Sequence, residues 1–506
     1  MAGDYILALD QGTTNTKAIL VDKAGKIAFR AILGMQIVAT SEGHVEQDAD
    51  AIWSASCQVI KACIEQVGAD AIAGIGITNQ RETVLLWDRK SGQPVTPAVV
   101  WQCQRSSDRC NQLVLDGMEP LIQSHTGLRV NPLASATKVE WLLDNTEGLR
   151  ARAEAGELFL GTVDSWLIFK LTAGRVHATD SSNASRTQLF NLATRNWDEE
   201  MLQLFRIPSI MLASIVESSG LIAEMADVDG LPGGLPIASA IGDSHAALAG
   251  HGIFFPGPIK ATYGTGSSLM TLWQDASAAD GVLAKTVAWT CNGKLQLALE
   301  GNVTMTGASV KWIGEFLQSS TPVQTALALA DSVSDSAGLY LVPAMNGLGA
   351  PYWDSEALGA IYGLTRTSTV AHLARAALES IAHQVTDVFE AMNPGQPYNM
   401  KSVLYADGGA SKNSELMQLQ ADLLGRPVER SSCPELSALG AAWFAGLAVG
   451  TWSSFAELAT LVPKRDIFEP RLDRTSRAAI REGWRLAVER TRLGVARKKA
   501  AKRSRS

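Results

Sequence analysis

No two cysteines stand as a Cys-x-x-Cys pair: Cys57, Cys63, Cys103, Cys110, Cys291 and Cys433 are scattered through 506 residues. That spacing argues against a disulfide framework and gives a zinc ion no ligand pair, so reduced, mostly structural thiols are expected. Long apolar runs are missing too. The longest, residues 439–450, is well short of the ~20 a membrane span requires and reads as a buried helix. The first ten residues have neither a basic segment nor a long apolar stretch, so no leader is expected. Charge of one sign is absent as well. The balance is 44 basic against 51 acidic residues, net −7, which suits a cytoplasmic protein and gives no reason to expect nucleic acid as a partner.

What is present is apolar residue content, 46% of a chain too long for one ordinary core, so two large domains are expected. Strand-like and helix-like runs alternate throughout, which indicates an α/β class. Residues 5–10 read as a strand, Gln11-Gly-Thr-Thr14 as a turn and residues 16–22 as a returning strand. The device recurs some 250 residues later, where 259–263 leads through Gly264-Thr-Gly266 into 269–273. A break near residue 250 follows from the Pro- and Gly-bearing stretch 251–258. The expected organisation is a first domain over 1–250, a second over 251–493, and a basic, disordered tail over 494–506 after a helix at 475–493.

Several segments carry candidate chemistry. In Asp10-Gln-Gly-Thr-Thr14, Gly12 lets backbone approach a phosphate and the two threonines add hydroxyl donors. Asp10 repels phosphate but can hold Mg²⁺, which holds the phosphates. A polar hairpin turn is the plainer reading. Gly264-Thr-Gly-Ser-Ser268 offers amides and hydroxyls without charge, and Asp407-Gly-Gly409 joins a strand to a helix start that can admit an anionic ligand. Asp243 follows one strand-like run and opens a helix-like one, where it fits either a general base for a hydroxyl or a helix cap. Gly242-Asp-Ser244-His-Ala246 also approaches a hydrolase nucleophile elbow. Ala246 replaces the final Gly, and no downstream Asp and His complete a triad. Arg81 and Glu82 set donors beside an acceptor, complementary to vicinal hydroxyls, with Trp101 as an apolar face. A surface ion pair and a core Trp remain the alternatives.

Together these segments resemble the FGGY carbohydrate kinases, most closely the members that phosphorylate glycerol. Residues 8–14, 75–83, 100–102, 161–167, 183–187, 263–266, 347–354, 407–409 and 439–442 carry the likeness. The resemblance implies two actin- and hexokinase-like (ribonuclease H-like) domains with a nucleotide cleft between them, and ATP-dependent phosphorylation of a polyol, glycerol first, with Mg²⁺. It implies metal and phosphate roles for Asp10, and phosphate contacts for Thr13, Thr14 and Lys17, where Arg is usual. Thr265, Gly307, Lys311, Gly409 and Asn413 would contact the nucleotide. Arg81, Glu82, Trp101, Leu133, Asp243 and Ser244 would bind the polyol, with Asp243 taking the proton. A dimer or tetramer is the family habit.

The departures fall on specificity. Leu133 stands where a Tyr is usual, Ser244 for a Gln and Ser268 for a Phe, so a longer polyol or ketose stays open beside glycerol. A catalytically silent sugar binder is the third reading, and retention of both Asp10 and Asp243 argues against it. In Gly233-Gly-Leu235-Pro236 no cation follows the glycines, whereas fructose bisphosphate-inhibited relatives carry an Arg there. Titration with that effector is therefore expected to leave activity unchanged; a fall would refute the reading.

Overall fold

The computed structural model describes residues 3–40, 42–273, 281–392 and 403–503. The chain forms two compact units: Met1–Phe254 with Ala284–Ala298 and Glu435–Val462, and Phe255–Leu283 with Leu299–Pro434 and Pro463–Ser506. A linear division at residue 250 becomes an interleaved one because the apolar helix Leu436–Ala448 belongs to the first unit. That helix is buried on nearly every side, as its composition predicts. Gly440 makes its approach possible: a Cβ there would stand 1.9 Å from the Ala246 carbonyl oxygen on the helix Asp243–Gly250.

In the first unit the strand Tyr5–Gln11 pairs antiparallel with Asn15–Asp22, which pairs antiparallel with Ile27–Gly34. On its other side Tyr5–Gln11 runs parallel to Ile72–Asn79, and that strand runs parallel to Pro236–Gly242. Central strands of this kind are covered on both faces, and accordingly residues 6–11 and 74–79 are continuously buried rather than alternating. Their core gathers Leu7, Leu9, Ile75, Ile77, Trp87 and Trp166. A second sheet of the unit places Val84–Asp88 beside Ala98–Val99 and Leu158–Thr162, over a core with Val139, Leu160 and Phe205.

The second unit repeats the device. Ile259–Tyr263 pairs antiparallel with Ser267–Trp273 and parallel with Leu404–Asp407, which is parallel to Val428–Ser431. Its core includes Tyr263, Leu269, Val385, Leu404 and Leu416. The final helix, expected over 475–493, runs Arg474–Arg503, so ten residues assigned to an irregular tail continue it. Their Ala, Arg and Lys content favours helix, which explains the extension. Residues 504–506 of that tail lie outside the described residues.

Candidate active site

Asp10 is the penultimate residue of its strand and lies opposite Lys17 in the hairpin register. It is 8% exposed. Burial pushes its carboxyl up to about 7; the Lys17 ammonium opposes this, while the negative charges of Asp243 and Glu435 add to it. Burial works to lower the Lys17 ammonium, but Asp10 and Glu435 outweigh it and its pKa is raised. Lys17 Nζ meets Glu435 Oε2 at 2.8 Å, and Arg30 meets Glu435 Oε1 at 3.1 Å. Glu435, the residue before the buried helix, is therefore a functional neighbour that sequence reading missed. A carboxylate at the start of a helix looks like a cap, and nothing local reveals a partner 418 positions away.

The turn after Asp10 is fixed by side chains from other segments. The Gly12 N–H donates to the Asn15 carbonyl at 2.9 Å. Thr13 Oγ1 accepts from Trp101 Nε1 at 2.9 Å and donates to Gln80 Oε1 at 3.3 Å, while Gln47 Nε2 holds the Thr13 carbonyl at 2.8 Å. Gln80 also donates to Gln11 and Gln47. Thr14 stays exposed. Trp101 is half-buried and tied to the turn at Thr13 through its indole N–H, which is neither a core role nor a purely apolar one.

Arg81 and Glu82 do not pair with each other. Glu82 adopts φ 59°, in the left-handed region a bulky residue enters only under constraint, and the chain turns so that the two neighbours take different partners. Arg81 Nε donates to Asp243 Oδ1 at 3.1 Å. The buried Glu82 accepts from Arg186 Nε at 2.6 Å and its carbonyl from Ser135 Oγ at 3.0 Å. Gly242 admits Arg81: a Cβ there would lie 2.8 Å from the Arg81 Cδ. Asp243 opens the helix Asp243–Gly250, where the positive end of the helix dipole favours a carboxylate. Its Oδ1 also accepts the Ser244 N–H at 2.6 Å. The Gly242 N–H, one residue earlier, donates to Ser182 Oγ at 2.9 Å, and Ser182 Oγ donates to the buried Asp180. His245, the residue after Ser244, is buried, with its Nε2 3.4 Å from Thr286 Oγ1. Leu133 is half-buried, its N–H accepted by Asn131 Oδ1 at 2.9 Å.

In the second unit the 264–266 turn is stapled to the start of the helix Gly307–Phe316. The Gly307 N–H donates to the Gly264 carbonyl and the Thr306 N–H to the Thr265 carbonyl, both at 3.0 Å. Thr265 is exposed. Lys311 is exposed and pairs with Glu315 one turn on, at 3.0 Å. Gly409 has open space where a Cβ would stand, and Asn413 caps the helix Ser414–Leu424 by accepting the Leu416 N–H at 2.9 Å. Ser268 Oγ donates to the buried Glu300 at 2.9 Å.

Among the described residues no group of three or more His, Cys, Asp or Glu forms a ready metal cluster. No described helix is long and apolar enough to cross a membrane. All six cysteines are free thiols.

Comparison with known proteins agrees along nearly the whole chain. The model of the FGGY family of carbohydrate kinases, N-terminal domain, matches residues 5–250, and that of the C-terminal domain matches residues 259–449. Glycerol kinase 2 of Thermotoga maritima is 45% identical over 491 residues, 96% of this chain and 98% of its own. Glycerol kinase of Bacillus licheniformis is 43% identical over 491 residues, 96% and 99% of the two chains. Among solved structures, Plasmodium falciparum glycerol kinase with ADP has a TM-score of 0.89 at 32% identity, covering 96% of this chain and 98% of that one. Gluconate kinase from Lactobacillus acidophilus, TM-score 0.86 at 23% identity over 97% and 98% of the chains, shares the fold.

Proposed function

The chain belongs to the FGGY family of carbohydrate kinases, and from that premise we propose that it transfers the terminal phosphoryl group of ATP to glycerol, giving glycerol 3-phosphate and ADP. The observation that carries the reading is Asp243, held at a helix start by Arg81 and close enough to the buried Asp10 for its charge to raise that carboxyl. A hydroxyl oxygen attacks the γ-phosphorus while its proton passes to Asp243. The bond from that phosphorus to the bridging oxygen breaks, and ADP leaves with the electron pair. Arg81, Glu82 and Trp101 orient the polyol, and Thr13, Thr14 and Lys17 hold the transferred phosphate. Thr265, Gly307, Lys311, Gly409 and Asn413 serve the nucleotide, with Asn413 also capping its helix.

Asp10 suits Mg²⁺ on chemical grounds. It is a hard oxygen donor, and a buried carboxyl crowded by Asp243 and Glu435 gains from a cation beside it. Asp10 would hold the ion, which when bound supplies neutralisation of charge on the transferred group. A cytoplasmic setting follows from the need for ATP, and a dimer or tetramer is the proposed assembly.

The test is ADP release with Mg-ATP across glycerol, erythritol, ribitol, xylitol, dihydroxyacetone and xylulose. Glycerol is expected to have the highest kcat/KM. A longer polyol or ketose is the second reading, favoured by Leu133, which brings no hydrogen-bonding group, and by the short Ser244. Weak glycerol turnover beside strong turnover of a longer substrate would install that reading instead.

A further inference from the structure

The helix Ser135–Asn145 starts beside three segments assigned to the polyol, and none of its residues has a role in the reaction as described. Its first residue, Ser135, donates to the Glu82 carbonyl. One turn on stands Lys138, 0% exposed, a burial that lysine almost never adopts unpaired. Its Nζ donates to the main-chain carbonyl of Trp101 at 3.2 Å and to that of Leu133 at 2.5 Å. We propose that Lys138 is a positioning residue for the polyol: by holding those two carbonyls it fixes the segments carrying Trp101 and Leu133 against the same helix that holds Glu82.

The arrangement makes sense only as a constraint. Removing an ammonium from water is costly, and burial drives this one down to about 8 although the charge of Glu82 opposes the fall. An apolar side chain would fill the same space without that cost, but would leave two carbonyls with no donor. Leu133 is then gripped through both of its flanking peptide groups, its N–H by Asn131 and its carbonyl by Lys138. A leucine has no polar group with which to find its own place against a hydroxylated ligand, so its position must come from the main chain. Either protonation state of Lys138 retains two N–H donors, and the grip does not depend on its charge.

The inference rests on the proposed polyol site, and the experiment separates the two. Lys138→Met keeps the length of the stem and removes the donors. Asn131→Ala, on an exposed loop residue, loosens the other end of Leu133 without touching the core. Two readouts are needed: amide hydrogen exchange over residues 100–103 and 131–135, and separate KM values for the polyol turned over and for Mg-ATP. Lys138→Met is expected to speed exchange in both segments and raise the polyol KM by about tenfold, as for loss of the two hydrogen bonds that hold them. The Mg-ATP KM stays within about twofold, since uniform polyol binding alone is affected. Asn131→Ala is expected to speed exchange over 131–135 alone, with a smaller rise in the same KM. If Lys138→Met does not fold, an unchanged polyol KM in Asn131→Ala overturns the proposal. Unchanged exchange in Lys138→Met overturns it whatever the substrate is. Faster exchange with an unchanged polyol KM also overturns it, by separating those segments from the polyol. A wild-type enzyme that turns over no polyol sinks the glycerol reading instead, and the exchange result alone then decides whether Lys138 fixes the two segments.

Discussion

Asp243→Asn is expected to lower kcat by ~10²–10⁴-fold, the usual worth of a positioned general base, with the KM for Mg-ATP nearly unchanged. Asparagine keeps an oxygen to accept from Arg81 Nε and from the Ser244 N–H, two contacts that orient the side chain, while the proton acceptor is lost. The measurement is steady-state ADP release at saturating polyol, together with a thermal unfolding curve to establish that the variant is folded. A folded variant with turnover near wild type would mean that Asp243 only organises Arg81, and that the hydroxyl proton leaves by another route.

The second large effect is double, and its two halves oppose each other. Asp10→Asn removes the carboxylate proposed to hold Mg²⁺, and kcat/KM is expected to fall by ~10² or more. The same change is expected to stabilise the metal-free protein at alkaline pH. The folded carboxyl titrates near 7 against an ordinary value of 3.8, so the folded state binds more protons than the unfolded chain across that window. Stability therefore falls as pH rises from about 4 to 7. The cost is absent below the window and complete above it. At ~1.4 kcal/mol per tenfold, it amounts to roughly 4 kcal/mol at most. Asn is neutral throughout, so the variant should unfold later than wild type at pH 8 without metal and alongside it at pH 4. Added Mg²⁺ should raise the wild-type midpoint at pH 8 and leave that of the variant where it is. Equal midpoints at pH 8 would mean that water or Lys17 already relieves the buried charge.

Features that depend on neighbouring residues were legible before any coordinates. The hairpins around residues 11–14 and 264–266 announce themselves by Gly, Thr and Ser between β-rich runs, and both are present. The helix opening at Asp243 and the buried helix after Glu435 follow from apolar patterning. Partnerships across long stretches of chain were not legible. Arg81 and Glu82 look like a pair because they are adjacent, yet a left-handed Glu82 sends them to Asp243 and Arg186. Arg186 sits in a motif conspicuous in the sequence, but no local rule says that an Arg 104 positions on will neutralise Glu82. Gln80 falls to the same limit: nothing beside it in the chain announces that it donates to Gln11 and Gln47 and so shapes the turn. Burial hides Lys138 in another way, since a lysine in a helix reads as a solvated residue until its surroundings are known.

The interleaving of the first unit sets an order of events during synthesis. Its first strand leaves the ribosome at once, but the helix Leu436–Ala448 that packs against Tyr5–Gln11 and Ile72–Asn79 is made when more than four-fifths of the chain is already out. At ~5–20 residues per second, the nascent protein waits tens of seconds with those strands uncovered on that side. Until Glu435 arrives, Lys17 has lost one of its two carboxylates. A nascent chain of between about 250 and 435 residues therefore carries every proposed polyol contact and still lacks the helix Leu436–Ala448 that covers those strands. Catalytic competence should appear late and abruptly in translation, and over that interval the uncovered strands are the natural target for a chaperone.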